Sequence, residues 1–253
     1  MRGPYGGFEF VDSLPGDLVQ RFVLDCLQKL RDYDDLPMEI ISAPFCYNER
    51  EASLIHNILV RIGFKEQIAE LNFHREVRAG EQFSEGMNRG NLKRLRKAAE
   101  RKLTFSLMDS ALHEKAYRLI ADNRQRRGFP ITMSWTQIQD MRNAFPERVL
   151  FMAAFDGDAM VASSVCIGVR KDVLYVFYWG DAEGQHNLSP VTYLAQEIYR
   201  YCQENGYRLM DVGTATKEGL PNWGLLEYKE HLGFRPSLKI RYRRTVDRER
   251  VDA

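Results

Sequence analysis

The 253-residue chain is short of several features that define common protein classes. Its four cysteines, Cys26, Cys46, Cys166 and Cys202, lie far apart and form no CxxC pair, which excludes a zinc knuckle and a disulfide scaffold and leads us to expect reduced thiols in a cytoplasmic protein. No apolar run approaches the ~20 residues of a membrane span. The opening Met1-Arg2-Gly3-Pro4-Tyr5 has no apolar stretch behind it, so no secretory signal is expected. HExxH, GxSxG and P-loop patterns are missing, which leaves a zinc protease, a serine hydrolase or an NTPase without support. Charge of one sign is missing too. Lys and Arg total 36 against 35 Asp and Glu, so any polyanionic partner must be read from local clusters.

What is present is an ordinary globular composition, 44% hydrophobic and 28% charged, long enough for one large domain or two smaller ones. Leu18, Phe22, Val23, Leu27 and Leu30 recur at helical spacing after Ser13-Leu14-Pro15-Gly16-Asp17. A short strand at 38–42, a helix at 51–62 stopped by Gly63, and a strand at 67–77 follow. Residues 91–102 read as a basic amphipathic helix with Leu92, Leu95, Ala99 and Leu103 in one stripe. Between Arg89 and Lys102 there are seven basic residues and one acid, and Lys93, Arg94, Lys97 and Arg101 face away from that stripe. This face is either an ordinary solvated one or an anion contact that Arg124, Arg126 and Arg127 could extend. No aromatics interleave with it, so stacking on single-stranded nucleic acid is not indicated.

Downstream come a strand at 103–108 and helices at 112–127 and 136–145. Two runs flank Asp156-Gly157-Asp158, a strong hairpin signal, and 173–179 makes a third consecutive strand. Leu188-Ser189-Pro190 marks a helix start with serine as the cap. A strand at 208–212, a helix at 222–232 and a strand at 238–244 close the chain. The order helix, short strand, helix, Gly-Phe, strand occurs twice, over 14–75 and 188–244, with Ile62-Gly63-Phe64-Lys65 matching Leu232-Gly233-Phe234-Arg235. The second copy has a front half, 103–187, that the first does not. We therefore expect a segment of ~80 residues upstream of residue 1. The length of the parent gene tests this.

Four segments carry a family resemblance. They are the basic run Arg89-x-x-x-Lys93-Arg94-x-Arg96-Lys97-Ala98, the hairpin around Asp156-Gly157, the segment Tyr207-Arg208-Leu209-Met210-Asp211-Val212-Gly213, and Leu226-Glu227-Tyr228-Lys229-x-x-Leu232-Gly233-Phe234. In this order they resemble a GNAT-superfamily acyltransferase, and more narrowly the FemAB-like branch with its tandem GNAT-like domains. The resemblance implies an α/β fold (α+β by some schemes), with a mixed, mostly antiparallel central sheet flanked by helices. It implies a partial domain at 1–80, a basic linker helix at 81–102 and a complete domain at 103–253. It also implies N-acyl transfer from a thioester or ester to a primary amine, with acetyl-coenzyme A or aminoacyl-tRNA as co-substrate and no tightly bound cofactor or metal. The acceptor would be a small-molecule or cell-envelope amine. A homodimer and a tRNA partner fit the same reading. The alternative is a non-catalytic module that binds RNA or an anionic envelope polymer through the basic helix.

Site residues follow from the resemblance. Lys229 stands in the branch's Phe-Lys pair, with Tyr228 replacing Phe, and could place positive charge on the oxyanion; otherwise it is an exposed helical lysine. Asp211 ends a buried strand and could orient an amine or a lysine. Tyr178, Trp179, Gly180 and Asp181 end the preceding strand, on the donor edge together with Ser189. His186, Thr214 and Asn222 are candidate acceptor contacts and equally plain loop residues, as is Thr216. One departure stands out. Where acetyl-coenzyme A users carry a glycine-rich pyrophosphate loop, this chain has Gly184-Gln185-His186-Asn187-Leu188-Ser189-Pro190, with one glycine and a proline that lacks a donor.

Overall fold

The computed structural model describes residues 5–11, 13–29, 38–129, 131–185 and 188–244. In chain order the first elements are α1 (Gly16–Lys29), β1 (Met38–Ile41), α2 (Glu49–Arg61), β2 (Lys65–Glu76), α3 (Arg89–Glu100) and β3 (Thr104–Leu107). Next come α4 (His113–Arg126), α5 (Trp135–Ala144), β4 (Val149–Asp156), β5 (Ala159–Arg170) and β6 (Val173–Asp181). The chain continues with α6 (Pro190–Glu204), β7 (Leu209–Thr214), β8 (Thr216–Lys217), β9 (Leu220–Pro221), α7 (Trp223–His231) and β10 (Arg235–Arg244). The expected elements are present within a few residues of their expected ends. The small β8–β9 hairpin lies in what the sequence presented as a loop.

Two compact units form. One comprises Met1–Asn72, Thr214–Asn222 and Pro236–Ala253; the other comprises Phe73–Gly213 and Trp223–Arg235. In the first, β10 lies between β1 and β2, and β1 pairs with β10 antiparallel from Met38↔Arg244 to Ile41↔Arg241. Val19, Val23 and Leu27 recur every four residues along α1. They meet Ile55, Ile58 and Leu59 of α2 and, from the sheet side, Phe64, Ile240 and Tyr242.

The second unit holds the strand order β2-β7-β6-β5-β4-β3. Strands β3 to β6 form an antiparallel meander. Strand β7 is parallel to β6, but the ladder covers only Val173–Tyr175 against Leu209–Asp211. Strand β6 continues to Asp181, so the two strands part beyond Tyr175. The fold is thus the expected mixed, mostly antiparallel sheet flanked by helices. Helices α4 and α5 supply Ala116, Tyr117, Ile120 and Ile138 to a core with Phe151, Val165 and Tyr178.

Helix α3 turns a different stripe inward than the sequence suggested. Asn91, Leu95 and Ala98 are buried, whereas Ala99 is exposed and Leu92 only half-buried. Asn91 Oδ1 accepts from Arg94.

A buried arginine fastens this unit. Arg75 of β2 lies against the rings of Phe83 and Tyr199, 4.7 and 4.9 Å from their centroids. Its guanidinium donates to the Phe83 carbonyl at 2.6 Å and to Glu81 Oε1 at 2.7 Å. The space it needs requires two glycines. A Cβ on Gly86 would sit 3.0 Å from Arg75, and one on Gly233 would sit 2.7 Å from the Gly86 carbonyl oxygen. Gly233 also has φ +85.

Gly63 has φ +91 with nothing within 4 Å of a Cβ, so the two glycines separate strain from clash. Gly63→Ala is expected to cost about 1 kcal/mol, the left-handed penalty alone. Gly233→Ala is expected to cost about 3 kcal/mol or more, because a backbone neighbour must also shift. Urea midpoints at constant slope measure both.

Candidate functional site

Helix α7 ends in the same turn as α2. Gly63 N donates to Val60 O and Phe64 N to Leu59 O; Gly233 N donates to Glu230 O and Phe234 N to Lys229 O. Lys229 therefore occupies the position that Leu59 holds in α2. Leu59 is fully buried, as the turn's geometry favours. Lys229 is only 2% exposed at the matching place. Burying a leucine there stabilises the turn by about 2 kcal/mol, whereas burying an ammonium is costly unless it is paired. Packing alone does not explain the lysine.

The structure meets that cost with a receptor at the end of β7. Lys229 Nζ donates to the carbonyls of Val212 and Gly213, each at 2.8 Å. In a regular strand, successive carbonyls point to opposite sides. Here Gly213 has φ +73, and its N–H donates to Asp211 Oδ1 at 2.7 Å. This local turn brings two consecutive carbonyls to one ammonium. A Cβ on Gly213 would lie 3.3 Å from the Tyr175 hydroxyl. The ring of Phe73 covers the ammonium, 5.5 Å from centroid to Nζ. Burial lowers the Lys229 ammonium from its usual 10.5 to about 7, against the carboxylate of Asp211, which raises it. Asp211 is itself only 1% exposed. The structure thus brings Lys229 and Asp211 into one cluster.

Tyr228 points into a second cluster. Burial pushes its hydroxyl up to about 12, while a hydrogen bond with Thr192 of α6 pulls the other way. Arg127, Asp181 and Arg94 all act on that hydroxyl electrostatically.

The remaining expected residues fall as follows. Tyr178 is buried; its hydroxyl accepts from the Thr132 and Met133 N–H groups, both at 3.1 Å, and also bonds Thr132 Oγ1. Arg124 lies 5.1 Å from its ring. Trp179, on the opposite strand face, is half-buried near Phe234. Gly180 is buried, and a Cβ there would meet Asn123 at 2.9 Å. Asp181 is buried and held by Asn123, which donates to its carboxylate and carbonyl; Arg126 reaches the same carbonyl at 3.0 Å and Arg127 the carboxylate at 3.4 Å. Ser189 precedes α6 but does not cap it with its side chain. Its backbone is left-handed (φ 50, ψ 47), and no side-chain cap bond forms. That corrects the expected serine cap; the left-handed backbone is not the extended one a capping serine uses. Thr214 and Asn222 belong to the other compact unit, where Asn222 N donates to Ala215 O. His186 lies outside the described residues. Lys93, Arg94, Lys97 and Arg101 are exposed on and just after α3. Among the described residues, no group of His, Cys, Asp and Glu side chains is arranged to hold a metal ion, and no helix is long and apolar enough to cross a membrane.

Sequence reasoning missed Phe73, Thr192, Asn123 and the two carbonyls. Asp211-Val212-Gly213 did carry a signal, since an aspartate two residues before a glycine marks a local turn.

Comparisons with known proteins bear on the family and the fold. The profile of the family described as "Acetyltransferase (GNAT) domain" matches residues 87–230. Among solved structures, FemX superposes with a TM-score of 0.72 at 12% identity, covering 94% of this chain and 83% of that one. L-PGS from Bacillus licheniformis gives 0.60 at 10% identity, covering 90% and 74%. A domain described as the C-terminal part of a lysylphosphatidylglycerol synthetase, from Agrobacterium fabrum, gives 0.59 at 11%, covering 91% and 73%. No curated protein matches significantly.

The lowered Lys229 value has a thermodynamic consequence. Unfolded, the side chain keeps its proton up to about 10.5; folded, only to about 7. Between these values the unfolded state binds more protons, so stability rises with pH across about 7 to 10 by on the order of a few kcal/mol. Below 7 the penalty is fully present. Urea unfolding across this range is expected to show the rise, and Lys229→Met is expected to remove the slope.

Proposed function

The chain belongs to the GNAT acetyltransferase-domain family, and from that premise we propose that it is an N-acyltransferase whose reaction centres on Lys229. The burial of Lys229, against a carbonyl receptor at the end of β7, is the observation that carries this reading. A primary amine attacks the carbonyl carbon of a thioester or ester. The carbonyl π pair moves to oxygen, and the Lys229 ammonium offsets that negative charge. Collapse re-forms the carbonyl and expels the thiolate or alkoxide, which takes up the proton that the amine nitrogen loses. Attack is direct: Cys166 and Cys202 are buried with thiols pushed up by burial, which does not suit a nucleophile.

The donor is acetyl-coenzyme A or an aminoacyl-tRNA, and its phosphates meet Lys93, Arg94, Lys97 and Arg101. The exposed basic face of α3 supports this, because basic side chains can replace a glycine-rich loop. Tyr178, Trp179, Gly180, Asp181 and Ser189 are the proposed donor contacts, and His186, Thr214 and Asn222 the proposed acceptor contacts. The reading includes a partial copy at 1–80, a linker at 81–102 and a full copy at 103–253. The matching turns after α2 and α7 support the repeat. The exposed basic face of α3 also favours a second reading, in which the chain is a non-catalytic module for RNA or another polyanion.

Thermal shift with coenzyme A, acetyl-coenzyme A and total aminoacyl-tRNA separates these. A donor at 100 times its dissociation constant should stabilise the fold by ~2.7 kcal/mol. Lys229→Ala is expected to lower transfer from that donor about 100- to 1,000-fold. RNA binding that falls steeply with salt, with no transfer from either donor, would establish the second reading instead.

A further inference from the structure

We propose that Asp211 is a positioning residue, which with Phe73 and the two β7 carbonyls forms a cage that keeps Lys229 charged and aimed, and does not itself touch the acceptor amine. The proposal rests on the acyl-transfer reading of Lys229 and reassigns the second residue of that site.

The geometry is specific. Asp211 Oδ1 accepts from Gly213 N at 2.7 Å, and this bond sets the left-handed turn at Gly213. That turn presents the Val212 and Gly213 carbonyls to Nζ at 2.8 Å each. One carboxylate therefore acts on the ammonium twice. It supplies opposite charge in a buried setting, and it holds the backbone that supplies two acceptors. Phe73, fully buried in β2, presents its ring to the same ammonium at 5.5 Å. Asp211 is the charged group that acts on Lys229, from the strand that faces it. One of its carboxylate oxygens is committed to the Gly213 N–H, a bond within its own strand.

The two roles predict different pH behaviour. An aspartate that takes a proton from the acceptor leaves an acid limb in the rate profile, and its loss lowers the rate at every pH. An aspartate that keeps Lys229 charged sets the alkaline limb, where Lys229 loses its proton. Asp211→Asn retains the oxygen that accepts from Gly213 N but removes the charge. Its alkaline limb should move to lower pH by about one unit, with the rate at acid pH largely restored. That restoration also shows that the variant is folded.

A second measurement needs no donor. In protein labelled at lysine Cε with 13C, the Lys229 signal is assigned by its loss in Lys229→Arg and followed through a pH titration. Asp211→Asn and Phe73→Leu should each lower its midpoint, and Phe73→Tyr should restore it. An unmoved midpoint in Asp211→Asn, or a rate lost equally at all pH, overturns the cage. A lowered midpoint in a protein whose transfer is indifferent to Lys229→Ala upholds the cage and sinks the acyl-transfer reading.

Discussion

The burial of one ammonium organises the functional end of this protein. A lysine below the surface is tolerable only where acceptors and opposite charge replace its water, and the end of β7 is built to do so. The Asp211–Gly213 bond, the left-handed Gly213 and the paired carbonyls make sense together as a receptor for Lys229. The parallel β6–β7 ladder stops at Tyr175↔Asp211, so on the β6 side the backbone needed for that receptor is free of strand pairing.

A second buried cation supports the same region from another side. Arg75 ties β2 to the segment from Glu81 to Gly86 and to Tyr199 of α6, and its space depends on Gly86 and Gly233. Gly233 ends the turn in which Lys229 sits. The position of the helix that carries Lys229 is therefore set by contacts several residues from it. The same economy holds at the end of β6. Asn123, Arg126 and Arg127 converge on Asp181, so the end of α4 is fastened to the end of β6.

Much of the fold is legible in the order of residues. The periodicity of α2, the Asp156-Gly157 turn and the glycine stops after α2 and α7 mark elements by local rules that hold here, whereas of the stripe expected on α1 Val23 and Leu27 are buried and Leu18 and Phe22 exposed. Helix α3 shows the limit of that reasoning. Its buried stripe runs through Asn91 and Ala98, and a polar residue on an inward face is invisible to a hydrophobic pattern. Ser189 shows another limit, since residue type suggests a cap and backbone conformation decides it.

The sequence by itself determined the elements, the helix–Gly–Phe repeat and the pairing of Tyr228 with Lys229 before Gly233. Those depend on neighbours within a few residues. Only the tertiary structure decided that Lys229 is inside rather than on the surface, because its partners, Phe73, Asp211, Val212 and Gly213, come from strands 16 or more residues away. The same physics gives Leu59 and Lys229 one local conformation and opposite chemistry. A turn is set by backbone bonds within the helix end, and the protonation of a buried side chain is set by whatever the rest of the chain places around it.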